Sequence, residues 1–180
     1  MNDFRLENNR PVFQNLLYQV QSWPVAIRQL DLPADVAQRT LQLPEEGDPR
    51  SRSWARQLRQ ENADPQSLVS AMLRHFADEP YGYTLKPPPV GRNSIDDFLF
   101  RTRKGFCAHY AGAMVFVLRA AGIPSRVVAG YQGGELNQDG NYLSVRQLDA
   151  HAWVEYWVEG RGWISVDPTF QVAPERIELG

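Results

Sequence analysis

The sequence predicts an α+β fold with helices in the first part of the chain and antiparallel strands in the last. Apolar residues recur at helical spacing from Leu68 to Phe76 and again from Tyr110 to Ala121. From Arg126 onward, β-branched and aromatic residues dominate four short runs separated by turn-rich segments: RVVAGY, NYLSVRQ, HAWVEYWV and GWISVDPT. Together these patterns predict one long helix packed on an antiparallel sheet.

The composition fits one soluble globular domain. The chain has 180 residues, of which 43% are hydrophobic, and its 19 basic and 21 acidic residues give a net charge of -2. Neither sign forms a long run, which argues against a nucleic-acid partner. The longest apolar stretch, 111–118, is too short to span a bilayer. The N-terminus, MNDFRLENNR, lacks a signal-peptide core, so any export is expected to be specified outside this chain.

Prolines divide the chain into two regions. Residues 1–50 are predicted to be an irregular arm with at most short helices that wraps the core, and residues 51–180 to be the core itself. The arm prediction rests on Pro11, Pro24, Pro33, Pro44 and Pro49.

Local signals place the elements before the central helix. A first helix is expected after Ser53, and Asp64–Pro65 is a typical N-cap followed by proline at the first helical position. Ser94 and Asp97 resemble a capping box. The triple proline in Tyr81–Val90 predicts an extended surface loop that borders a groove.

The single cysteine, Cys107, excludes an internal disulfide. It lies just after Gly105, in the first turn of the nearly all-apolar helix 107–121, which Gly122 and Pro124 terminate. A helix N-terminus lowers the pKa of a thiol and favours the thiolate, which is the reactive form. The N–H groups of that turn also favour a developing oxyanion.

A thiolate enzyme needs a base, and the candidates are His75, His109 and His151. His75 is expected to face solvent on its amphipathic helix. His109 is two residues from Cys107, where helical side chains point in different directions. His151 begins a strand and is the remaining candidate.

Strand geometry then suggests an orienting carboxylate. If Glu159–Arg161 connects the last two strands, Trp153 lies opposite Asp167, and His151 is its diagonal neighbour on the same face. A hydrogen bond to Asp167 would fix the imidazole tautomer and stabilise the imidazolium.

Each of these residues also has an ordinary interpretation. A buried cysteine at a helix start often only packs, a strand-terminal histidine is often structural, and Asp167–Pro168 alone indicates a turn. A zinc site formed by Cys107, His109 and His151 lacks a further ligand in any usual spacing. No metal or cofactor is therefore predicted.

Two segments carry a family resemblance: GFCAHYAGAMVFVLRAAGIPSRVVAGY and DAHAWVEYWVEGRGWISVDPT. Over roughly residues 90 to 170 they resemble the core of the transglutaminase-like superfamily of papain-type thiol enzymes. The resemblance implies a catalytic triad of Cys107, His151 and Asp167. No calcium-binding loop of the D-x-D-x-D-G type is visible.

The chain as a whole is similar to the periplasmic domain of certain bacterial multi-pass inner-membrane proteins of that superfamily. This resemblance implies a soluble domain excised from a membrane protein, with transmembrane segments on both sides and a periplasmic location.

The resemblance also implies an activity. The expected reaction is protein-glutamine gamma-glutamyltransferase-type acyl transfer through a Cys107 thioester, with a glutamine donor and an amine or water as acceptor. Two alternatives stay open: a cysteine peptidase or amidase acting on cell-wall or protein amides, and a catalytically silent binding module.

The second oxyanion donor is not assigned. The tryptophan that animal transglutaminases use has no counterpart, since the nearest upstream tryptophan, Trp54, lies in a dissimilar segment. The main-chain N–H of Cys107 is one candidate donor, with Tyr83 or Tyr131 as further possibilities.

Overall fold

The computed structural model describes residues 11–21, 23 and 26–173, so MNDFRLENNR, Pro24 and the closing residues 174–180 lie outside it. The α-helices are α1 Ala34–Leu41, α2 Pro49–Glu61, α3 Pro65–Asp78, α4 Ser94–Asp97 and α5 Cys107–Ala120. The strands are β1 Gly82–Tyr83, β2 Lys104–Gly105, β3 Ser125–Tyr131, β4 Glu135–Asn137, β5 Tyr142–Ser144, β6 Ala150–Val158 and β7 Gly162–Val166.

Helix α5 is the centre of the fold. Tyr110, Met114 and Leu118 on this helix are fully buried, and it packs on the inner face of β6. Gly122 adopts the left-handed conformation, with φ +78°, and ends the helix. The predicted central helix on an antiparallel sheet is confirmed.

The main sheet has three antiparallel strands in the order β3-β6-β7. Val158 pairs with Gly162, so residues 159–161 form the connection, and the same register places Trp153 opposite Asp167. The register predicted from that connection is therefore correct.

The second β-rich run is not part of this sheet, contrary to the prediction. Its strand β5 pairs instead with β4, which comes from the segment GGELNQDG that was predicted to be only a turn. Gly133 and Gly134, with φ of +84° and +137°, turn the chain away from the sheet directly after β3. The result is a separate two-stranded hairpin.

The start of α3 agrees with its sequence signal, because the Asp64 carboxylate accepts hydrogen bonds from the N–H groups of Gln66 and Ser67 at 3.0 Å. Helix α2 begins at Pro49, before the predicted Ser53.

The predicted capping box at Ser94 and Asp97 is wrong. The N-cap of α4 is Asn93, and Asp48, distant in sequence, accepts hydrogen bonds from Ile95 N and Asp96 N at 2.9 and 3.0 Å. Asp97 is instead engaged by Arg101.

Asp96 caps α2 in return. Its carboxylate accepts from Arg50 N at 3.0 Å and from Ser51 N at 2.7 Å. Asp48, before α2, thus caps α4, and Asp96, in α4, caps α2. These contacts between distant parts of the sequence replace the capping box predicted from the local motif.

The short parallel pair β1-β2 positions the loop beside the central helix. Gly82 pairs with Lys104, and Tyr83 with Gly105, two residues before Cys107. Helix α4 leads there through a π-helical turn, Phe98–Thr102. The proline-rich loop therefore passes next to the start of α5.

Part of the arm covers the outer edge of the sheet. Trp163 N donates to Arg28 O at 3.0 Å, and the indole N–H groups of Trp157 and Trp163 donate to the main-chain and side-chain oxygens of Gln29. The division into an arm, 1–50, and a core, 51–180, stays a prediction. Among the described residues no helix is long and apolar enough to cross a membrane.

Candidate active site

Cys107 is the first residue of α5 and is 9% exposed. It lies at the base of a cavity of about 830 Å³ that His151 also lines. Gly105 allows the chain to pass close to α5, since a Cβ there would lie 2.7 Å from the His109 side chain. The thiol therefore sits at a helix N-terminus that is open to a cavity.

His109 does not reach the thiol, as predicted. Its Nδ1 accepts a hydrogen bond from Phe106 N at 3.3 Å, and its ring packs against that of Phe106. Its role here is to cap α5.

His151 lies between the thiol and a carboxylate. Its Nε2 is 2.6 Å from Asp167 Oδ2, and its side chain is near enough to the Cys107 thiol to lower the pKa of that thiol. Because Nε2 is engaged by Asp167, Nδ1 is the nitrogen left for the sulfur. The structure thus brings together all three residues that the sequence singled out.

The orientation of Asp167 is fixed from both sides. The residue directly follows β7 and is the N-cap of a 3-10 helix, Pro168–Gln171. Its Oδ1 accepts from Thr169 N at 2.9 Å, while Oδ2 faces His151. These two hydrogen bonds hold the carboxylate in one rotamer.

The electrostatics favour a charged pair. Burial alone would raise the pKa of Cys107, but hydrogen bonds from the His151 side chain and from the main chain of Ala152 and Ala108 bring this pKa below its ordinary value. The pKa of His151 is raised to about 9, first by the hydrogen bond with Asp167 and then by that with Cys107, against the effect of burial. Both shifts are in the direction that favours a thiolate beside an imidazolium.

The main-chain donor at Ala152 is a feature that sequence reasoning missed. The β6-β7 ladder pairs Val154 with Val166, and β7 ends there, so the ladder stops before Ala152. The main chain of Ala152 instead contributes to lowering the pKa of the Cys107 thiol. The Pro168 that follows Asp167 was the available signal, because proline ends a strand's hydrogen bonding.

His75 is not solvent-facing, contrary to the prediction. Its ring packs on Trp54 of α2 at 4.6 Å between centroids, and its Nε2 is 3.1 Å from Tyr81 Oη, which donates to Leu99 O. Burial lowers the pKa of His75. The packing of α2 over α3 buries this histidine among aromatic rings, away from the thiol.

The cavity has two walls. One comes from the proline-rich loop and the residue before the thiol, the other from the β4-β5 hairpin and the segment that follows it. The wall residues are Tyr83, Leu85 and Phe106 on one side and Gly134, Glu135, Ser144, Arg146, Leu148 and Asp149 on the other.

The oxyanion candidates separate by position. Tyr83 lines the cavity, whereas the Tyr131 hydroxyl donates to Gln147 Oε1 at 3.3 Å. Trp54 packs on His75. Across the described ranges, no group of three or more His, Cys, Asp or Glu residues could hold a metal ion.

Comparison with known proteins finds a matching family and several relatives. The model of the transglutaminase-like superfamily matches residues 52–168. The chain is 63% identical over 180 residues to a Pseudomonas aeruginosa protein named protein-glutamine gamma-glutamyltransferase. The aligned region covers all of this chain but only 27% of that protein.

Two further similarities agree. A crystal structure of the periplasmic domain of TgpA from Pseudomonas aeruginosa superposes with a TM-score of 0.87 and 65% identity, covering 88% of this chain and 55% of that one. The uncharacterised protein YebA of Bacillus subtilis is 31% identical over 176 residues, which cover 94% of this chain and 23% of YebA. The chain therefore spans about a quarter of the length of these two curated relatives.

Proposed function

Because the chain belongs to the transglutaminase-like superfamily, we propose that it transfers the acyl group of a protein or peptide glutamine through a thioester on Cys107. The donor is a glutamine side chain, and the acceptor is an amine, such as that of a lysine, or water. The observation that carries the proposal is the placement of His151, whose Nε2 lies 2.6 Å from Asp167 Oδ2 and whose side chain lowers the pKa of the Cys107 thiol.

The first half-reaction forms the thioester. The Cys107 thiolate attacks the carboxamide carbon, and the carbonyl oxygen becomes an oxyanion near the first turn of α5. The C–N bond breaks as the His151 imidazolium gives its proton to the nitrogen, which leaves as ammonia. Asp167 stabilises the imidazolium before the proton is transferred.

The second half-reaction releases the acyl group. The neutral imidazole removes a proton from the incoming amine as its nitrogen attacks the thioester carbon. The C–S bond breaks, and the thiolate and imidazolium are restored. Water in place of the amine would give glutamate, so the acceptor decides whether the net reaction is transfer or hydrolysis.

The wider setting is part of the proposal. The similarity to the periplasmic domain of TgpA supports a periplasmic location for this chain, as one domain of a membrane-anchored protein. Glutamine-bearing and amine-bearing polypeptides of that compartment are the proposed partners.

The test is to incubate the chain with a glutamine peptide and dansylcadaverine, and to measure ammonia release and amine incorporation. The wild type is expected to release ammonia, and hydroxylamine is expected to trap the thioester on Cys107. Cys107→Ala and His151→Ala are expected to abolish both signals. Ammonia release without amine incorporation would identify water as the acceptor.

The matched control for the carboxylate is a second aspartate. Asp167→Asn is expected to lose most activity, whereas Asp139→Asn, on the exposed turn of the hairpin, is expected to retain it. Full activity in Cys107→Ala would overturn the proposal.

A further inference from the structure

An aromatic side chain adjoins the imidazole on the outer face of the sheet. The Trp153 indole lies nearly parallel to the His151 ring, with 6.4 Å between centroids and 21° between planes. Both residues project from the same face of β6 because they are two apart. The His151 side chain is only 8% exposed although it borders an open cavity.

The indole leans across β3, where a glycine leaves room for it. Gly130 pairs with His151 in the β3-β6 register. A Cβ on Gly130 would lie 2.8 Å from Trp153 Cη2 and 3.2 Å from Cζ3. An alanine at this position could be accommodated only if the indole moved.

The imidazole therefore has a different neighbouring side chain on each side. Asp167 lies on the β7 side and hydrogen-bonds Nε2, whereas Trp153 lies on the β3 side and makes no hydrogen bond to the ring. The indole therefore bounds the space beside the imidazole on the β3 side. The titratable groups that act on His151 are Asp167, after β7, and Cys107, on α5.

We infer that Trp153, seated over Gly130, is a positioning residue that holds the His151 imidazole in the plane where it meets Cys107 and Asp167 together. The inference rests on the proposed thiolate chemistry. It assigns to Gly130 a role in the site although that residue has no side chain, since its missing Cβ determines where the indole lies.

The test is the rate of Cys107 alkylation by iodoacetamide as a function of pH, measured by mass spectrometry. The chain has a single cysteine, so the label reports on one site. Without the Trp153 indole beside it, the imidazole is expected to be held less firmly and to stabilise the thiolate less. The inflexion of the alkylation profile then moves to higher pH. We expect Trp153→Ala and Gly130→Ala each to raise the inflexion by about one pH unit, and Trp153→Phe to raise it less.

A double variant makes the test specific. In Gly130→Ala/Trp153→Ala the new methyl group meets no indole, so its profile is expected to match that of Trp153→Ala alone. Gly112→Ala is the matched control: its added Cβ has no neighbour within 4 Å, and its profile is expected to match the wild type. Thermal unfolding verifies that each variant is folded. If Trp153→Ala does not fold, the profiles of the two single variants Gly130→Ala and Trp153→Phe test the inference instead.

Folded variants with the wild-type profile would overturn the inference, as would additive shifts in the double variant. A wild-type inflexion at the pH of a free thiol would instead overturn the proposed function on which the inference depends. The two failures are therefore distinguishable.

Discussion

The Nε2 atom of His151 lies 2.6 Å from Oδ2 of Asp167, with His151 on β6 and Asp167 just after the end of the neighbouring strand β7. This hydrogen bond is the largest cause of the raised pKa of His151. It links the sheet register to the protonation state of the proposed base.

Asp167→Asn is expected to lower the pKa of His151 from about 9 toward the ordinary value of about 6.5. NMR titration of the histidine ring protons measures this directly. Burial is the main cause of the lowered pKa of both His75 and His109, so the wild-type His151 signal should titrate last. A His151 midpoint that is unchanged in the variant would contradict the assigned role of Asp167.

The same substitution has a stability consequence with a definite sign. The folded-state pKa of His151, about 9, exceeds the unfolded value of about 6.5, so the folded protein retains a proton that the unfolded chain loses between them. The stabilisation due to Asp167 is therefore full below about pH 6.5 and disappears as the pH rises through about 9. Urea unfolding of wild type and Asp167→Asn should show a free-energy difference that shrinks across this window.

The cavity walls predict a preference among glutamine donors. Leu85 and Leu148 lie on opposite walls and are 67% and 70% exposed, so an apolar side chain beside the glutamine would bury them. Leu85→Ser or Leu148→Ser is expected to lower kcat/KM for such peptides about 10-fold, the equivalent of about 1.4 kcal/mol of lost apolar contact.

Leu136 supplies the control for that prediction. It is 61% exposed on the β4-β5 hairpin but does not line the cavity, so Leu136→Ser is expected to leave kcat/KM unchanged. Alkylation of Cys107 by iodoacetamide, which is too small to span the walls, should be the same in all three variants. An equal loss in the Leu136 variant would indicate a general effect rather than substrate contact.

Much of the site followed from the sequence because its geometry depends on short-range rules. A three-residue connection, 159–161, sets the β6-β7 register, and that register places His151 diagonal to Asp167. The N-terminal position of Cys107 on α5 followed from helical periodicity and a terminating glycine. None of these steps required knowledge of distant contacts.

The errors share a different cause. The burial of His75 depends on the packing of α2 on α3, and the capping exchange joins Asp48 and Asp96 across two elements. The donor at Ala152 depends on where a neighbouring strand stops. Local patterns report helix faces and caps, but they do not report which distant group occupies them.

Helix α5 contains one glycine, Gly112, whose substitution should stabilise the protein. An added Cβ meets nothing within 4 Å, and alanine is favoured over glycine in a helix interior by about 0.8 kcal/mol. Gly112→Ala is expected to raise the free energy of urea unfolding by roughly that amount. A loss of stability would mean that the space beside α5 is filled.

The outer face of the sheet carries a buried charge on the strand that also contains His151, and its loss should cost stability. Glu155 is 2% exposed, and its Oε2 accepts from Arg126 Nε and Nη2 at 2.9 and 2.7 Å while Arg28 binds Oε1. Glu155→Gln leaves both guanidinium groups without a counter-charge. Because these groups are partly solvated, we expect a loss of about 2 kcal/mol, below the full cost of breaking a buried pair.

The matched control is an exposed ion pair in the same chain. Arg92 and Glu46 pair at 2.9 Å with side chains that are 84% and 80% exposed, so Glu46→Gln should change the unfolding free energy by no more than about 0.5 kcal/mol. Urea unfolding at constant pH compares the two variants. Equal effects would mean that Glu155 is solvated in solution, and that the arm does not hold the sheet through Arg28. A large effect confined to Glu155→Gln would show that this carboxylate, shared by Arg28 of the arm and Arg126 of β3, stabilises the strand that carries His151.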